Sequence, residues 1–186
     1  MNLQESIEQF MQPNYGTVRR TEETYKTVSR YCTENLINRV ELYHSVENNQ
    51  SLLREIRNDI DYYLRRYHKY CIQQRDGMKG HYAEVGIDDE YDFEHLIPES
   101  RVRDLLLHQV ITVPQALNAP TVKLSKAKHE LLSETGWKST TPDMWLPFMR
   151  YHGVFTAGYV TYDGTEIDPT SWTLADHFRY FEHLVI

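Results

Sequence analysis

Glu94-His95-Leu96-Ile97-Pro98 sets a carboxylate beside an imidazole just ahead of a proline. On an extended strand such neighbours point to opposite faces, so one can bind a metal ion while the other works on a water. Phosphodiester cleavage needs a nucleophile made from water and a neutralised leaving oxygen. A histidine near its ordinary pKa accepts the water's proton at neutral pH, provided that an acceptor such as an asparagine carbonyl holds its other nitrogen. A Mg²⁺-like ion on few protein ligands then stabilises the charge that develops on the phosphorus oxygens. Further along, Asn118 falls in an expected loop, and Lys123, Lys126, Lys128 and His129 fall on an expected helix. With Arg101 and Arg103 these cations suit a phosphate backbone.

Strand, connection, asparagine loop and helix is the order in which residues 91–135 resemble the HNH nucleases, the ββα-metal or His-Me finger family. The resemblance implies that His95 is the general base and that Asn118 orients it. It implies that Glu94, where the family usually has aspartate, and His129 are metal ligands. The cofactor it implies is Mg²⁺ or Mn²⁺ and the partner is DNA. Glutamate for aspartate, a helix-like insert between His95 and Asn118, and a long interval from Asn118 to His129 depart from the family pattern. A reading without the resemblance stands beside it: a non-catalytic acidic helical interaction protein, an inhibitor or an assembly factor.

The elements that must position these groups follow from periodicity. Leu53, Ile56, Ile60, Tyr63, Tyr67 and Tyr70 recur at steps of three and four, which predicts a helix over Ser51 to Gln74. Its other faces carry Arg54, Arg57, Arg65, Arg66 and Lys69, a surface able to grip nucleic acid but diluted by Asp59 and Asp61. A looser stripe through Tyr25, Val28, Cys32, Leu36, Val40 and Tyr43 predicts a helix over Thr21 to Ser45. Val46 to Gln50 reads as the turn of an antiparallel pair. Gln74 to Glu90 has no period and reads as a loop, and Asp88, Asp89, Glu90 and Asp92 read as a solvated turn. Tyr91 to Pro98 alternates as a short strand ending at proline. Ser100 is expected to cap a helix through Leu107, Val110 to Val113 to form a second strand, Pro114 to Pro120 a loop, and Leu124 to Glu134 a helix stopped by Gly136. Asp163-Gly164 signals a hairpin within Val154 to Ile167, and Thr170 to Leu184 a closing helix. The fold class is therefore α+β and helix-rich: a helical lobe over residues 1–76, then a ββα-metal-like lobe over 77–186 with a C-terminal hairpin and helix.

Composition bounds these readings. At 186 residues, 40% hydrophobic and 25% charged, the chain is of globular type with one expected core. Its 14 tyrosines suit a wet-edged core or a stacking surface. No stretch approaches the ~20 apolar residues of a membrane span, and MNLQESIEQF lacks the marks of a signal peptide, so an intracellular, cytoplasmic protein without membrane contact is expected. Two cysteines, Cys32 and Cys71, exclude a disulfide framework or a four-cysteine zinc site, and both read as buried thiols. A net charge of −7 opposes a simple basic nucleic-acid module. The charge is uneven, however: residues 76–100 hold eight acids and one lysine, and residues 101–150 hold seven basic and four acidic residues.

Overall fold

The computed structural model describes residues 22–75, 78–87 and 90–184. The N-terminal decapeptide, the expected turn at Asp88 and Asp89, and the expected lobe boundary at 76–77 lie outside the described residues. Helix α1 spans Glu22–Ser45 and helix α2 Gln50–Tyr67. The Asn49 side chain starts α2 by accepting from the Leu52 amide at 3.0 Å, as an N-cap should. The pair is antiparallel: Tyr25 bonds to Gln74, Asn35 to Tyr63 and Arg39 to Asp59, so partners step backward along the second helix. Cys32 and Leu36 are buried in one cluster with Ile56, Ile60, Tyr63 and Tyr67, the stripe expected from the spacing, and Tyr25 is buried where its hydroxyl reaches the Gln74 carbonyl. Full burial of Leu36, Ile56 and Ile60 contributes about 1.5–3 kcal/mol each before entropy is counted.

The expected helix to Gln74 changes register at His68. Residues His68–Gln73 form a π turn, which rotates His68, Cys71 and Ile72 into the interior. Residues 78–87, read as loop, contain strand β1, Tyr82–Glu84, and this short strand is central. Strands β2 (Tyr91–His95), β3 (Thr121–Ser125), β4 (Tyr159–Thr161) and β5 (Glu166–Ile167) complete a sheet of order β2-β3-β1-β4-β5. β3 runs parallel to β1 with Tyr82 opposite Val122, while β2 runs antiparallel to β3 with His95 opposite Thr121 and Glu94 opposite Val122. The molecule is thus a mixed α+β fold with an N-terminal helical pair.

Between β2 and β3 lie α3, Glu99–Leu107, and α4, Val113–Leu117. Pro98, not Ser100, occupies the N-cap of α3. The second strand expected at Val110 to Val113 is absent: Val110 is 66% exposed, and Thr112 and Gln115 form a capping box that starts α4. The loop expected from Pro114 to Pro120 is largely that helix, because proline fits the first turn, where no amide partner is required. The helix expected from Leu124 begins only at Lys126: α5 spans Lys126–Glu134 and follows β3 directly, so Lys123 stands on a strand. α5 packs across β2 and β3. A short α6, Met149–His152, precedes β4. Gly164 turns the β4–β5 hairpin at φ +88°, where a side chain would be strained. Thr173 and Asp176 box the start of α7, Leu174–Tyr180, shorter than the expected closing helix. Buried side chains from the helical pair, the sheet and α7 form one continuous hydrophobic cluster. No described helix is long and apolar enough to cross a membrane.

Candidate metal centre

Alternation along β2 sends Asp92 and Glu94 to the sheet face covered by α5, and Tyr91, Phe93 and His95 to the face beneath the π turn. The adjacent Glu94 and His95 therefore serve two separate arrangements.

On the α5 face, Glu94 is engaged at both oxygens. Oε1 pairs with Arg150 Nη1 at 2.7 Å, and Oε2 lies 3.2 Å from His129 Nε2. His129 Nδ1 lies 2.7 Å from Asp92 Oδ2. The Arg150 side chain is wholly buried and also donates to the carbonyls of Trp137, Lys138 and His95. Glu94 and His129 thus approach within one ion's reach, but the carboxylate already has a cation, and a metal there would displace a buried guanidinium. Lys128 is committed similarly, its Nζ 2.5 Å from Glu84 Oε1. Lys126 is exposed beside Glu90, Arg103 is paired with Asp61 and Asp104, and Arg101 is exposed on α3.

Asn118, expected to orient His95, does not touch it. Its Oδ1 lies 2.9 Å from His81 Nε2, its Nδ2 donates to the Phe181 carbonyl at 2.8 Å, and its own carbonyl lies 2.6 Å from His177 Nε2. Asn118 thus knits β1, β3 and α7 together, and His81 completes the knot through Thr121 Oγ1 at 2.8 Å.

The partner of His95 is His68, which sequence reasoning missed. His95 Nε2 lies 2.9 Å from His68 Nδ1, and His68 Nε2 lies 3.2 Å from the Ala116 carbonyl. A carbonyl only accepts, so His68 donates from Nε2 and its Nδ1 carries a lone pair. Burial holds the His68 pKa down to about 4, and burial followed by the nearby His68 ring holds His95 well below the usual range. Both rings are neutral at pH 7.

Glu99, the first residue of α3, completes this group. Its Oε2 accepts from Arg65 at 3.0 Å, whereas its buried Oε1 has no hydrogen-bond partner. Burial pushes its carboxyl upward despite Arg65. Ligand atoms of His68, His95 and Glu99 all lie within 4.8 Å of one another. Two imidazoles and a carboxylate form a donor set suited to zinc or a neighbouring transition metal, with a coordination position left over. The residues fit an ion in two further respects. The unpartnered Glu99 oxygen would gain a ligand, and the His68 bond to Ala116 is the outer hydrogen bond that normally orients a metal-binding ring. Two ring nitrogens on one ion stand roughly 3.0–3.4 Å apart, so the observed 2.9 Å gap need open only slightly.

His95 and Glu99 are only half-buried, Arg65 pairs with Glu99, and Lys123 stands on the side of the sheet that carries His95. Arg65 is 69% exposed, and Lys123 lies opposite Phe93 with its Nζ 5.3 Å from the Tyr91 ring. Burial, and then Lys79, lowers the Lys123 ammonium pKa. No family model, curated protein or solved structure matches the chain, so the HNH resemblance rests on its own residues.

Proposed function

We propose that this chain is a metal-dependent phosphodiesterase acting on nucleic acid, with its ion held by His68, His95 and Glu99. The observation that carries the reading is the convergence of these three ligands, with a free Glu99 oxygen, on a half-open face. An ion held by these three side chains would keep a position for water and would supply the Lewis acidity that lowers that water's pKa toward neutrality. Arg65, Lys79 and Lys123 supply positive charge for the phosphate. In this arrangement His95 is a ligand and not the general base, and the Glu94, His129 and Arg150 group is structural.

The test is cleavage of labelled DNA and RNA strands and of supercoiled plasmid with Zn²⁺, Mn²⁺, Co²⁺ or Mg²⁺, alongside His95→Ala, His68→Ala and Glu99→Gln. The proposal expects at least ~10²-fold slower cleavage in each variant and stronger support from Mn²⁺ or Co²⁺ than from Mg²⁺. No cleavage with any metal, or full activity in His68→Ala, overturns it. A second reading, the interaction protein, is favoured by an apolar groove lined by Leu105, Ile111, Trp145 and Phe178, where Trp145 is 57% exposed. Capture of a folded partner abolished by Trp145→Ser, in a chain without hydrolytic activity, would establish that reading.

A further inference from the structure

Beside the metal centre, Tyr31 of α1, Tyr62 of α2 and Tyr70 of the π turn stand around one guanidinium. The Arg66 Cζ atom lies 5.3 Å from the Tyr70 ring centroid, 5.8 Å from that of Tyr31 and 6.0 Å from that of Tyr62. Its Nη1 donates to the Tyr62 hydroxyl at 3.2 Å, and Lys69 Nζ lies 5.7 Å from the Tyr70 ring. Tyr62 is 50% exposed and Tyr31 45%, an unusual amount of aromatic surface to leave in water.

The charge there is also unbalanced. Asp59 and Asp61, which dilute the helix in sequence, are drawn into pairs with Arg39 and Arg103. Arg65, next to Arg66, reaches Glu99 of the ligand cluster, so this surface runs directly into the metal centre. A cationic surface with half-exposed aromatic rings, on a chain of net charge −7, selects a polyanion that carries planar groups. A duplex keeps its base faces stacked inside and cannot use the rings. An acidic peptide satisfies the charge and leaves the rings idle.

We propose that Tyr31, Tyr62, Arg66 and Tyr70 form a stacking platform for single-stranded nucleic acid and lead the strand to the His68, His95 and Glu99 centre. The role of the bound strand as substrate rests on the phosphodiesterase reading; the binding does not.

The full chain is titrated into a fluorescent twelve-nucleotide oligothymidylate in EDTA, so that no hydrolysis intervenes, and anisotropy is read at several salt concentrations. Binding is expected, with an affinity that falls as salt rises. Tyr62→Leu should weaken it about tenfold, the worth of roughly one lost stack, while Tyr62→Phe keeps it. Because Tyr62 is half exposed, both variants should melt with the wild type. Equal affinity for a duplex of the same length, equally effective competition by oligoglutamate, or unchanged binding in Tyr62→Leu overturns the platform. Intact binding without cleavage when metal is restored refutes the metal-centre reading alone. Cleavage without a Tyr62 effect on binding refutes the platform alone.

Discussion

Acidification should unfold the metal-free chain early, because His68, His81 and His177 are wholly buried in the fold. Burial holds His68 at about 4 and His177 at about 3, and places His81 well below its ordinary range, with the nearby His177 ring adding to the effect. Each folded pKa is depressed below the unfolded value near 6.5. The stability these rings contribute is therefore fully present above about pH 6.5 and drains as pH falls toward about 4 and 3, when the unfolded chain takes up protons that the fold refuses. At pH 5.5, one unit below the unfolded value, each ring costs somewhat over 1 kcal/mol, so three cost about 4 kcal/mol. That is a large part of a typical 5–15 kcal/mol stability and corresponds to a Tm lower by about 8–16 °C in a chain of this size. Circular-dichroism melts at pH 7.5 and 5.5, in EDTA, read the effect. Unfolding at pH 5.5 should also take up close to three protons, measured as the dependence of the calorimetric heat on buffer ionisation. A Tm that moves by less than about 3 °C would refute the buried neutral histidines.

Arg150→Met leaves Glu94 Oε1 without its cation and three carbonyls without their donor, a loss of about 3–5 kcal/mol that urea unfolding would report. A cost under 1 kcal/mol would return Glu94 to the set of available ligands. Lys123→Gln should lower the salt slope of nucleic-acid binding by about one, whereas Lys126→Gln, on the opposite side of the β3–α5 junction, should leave it unchanged. Cys32 and Cys71 are buried thiols whose pKa values burial pushes up to about 11 and 12. They should resist a thiol reagent at pH 8 in the folded chain and react at once in denaturant.

The helical pair was legible because its stripe is long and each buried position repeats the last, from Ile56 through Tyr67. β1 was not, since Tyr82–Glu84 offers only three residues and earns its central place through partners about forty and eighty residues away. Val110 to Val113 has strand composition, but the Thr112 and Gln115 capping box decides locally for helix. In the site, His95 and Glu94 were visible as chemistry, whereas their partners were not. His68 reads as one more residue of a helical stripe, and only the π turn and the 27-residue leap to β2 reveal its role. Glu99 carries no signal beyond its place after Pro98. A Pro-initiated helix placed so close behind the Glu-His pair was the available hint.

The place of the metal centre is set by which histidines take up the ion. Cobalt(II) titration of the apo chain, followed by visible absorption and checked by metal analysis after dialysis, measures this directly. The expected result is one ion per chain with nitrogen-ligand absorption bands, lost in His68→Ala and in Glu99→Gln and unchanged in His129→Ala. An ion retained in His68→Ala but lost in His129→Ala would contradict the account and move the centre to the opposite face of β2.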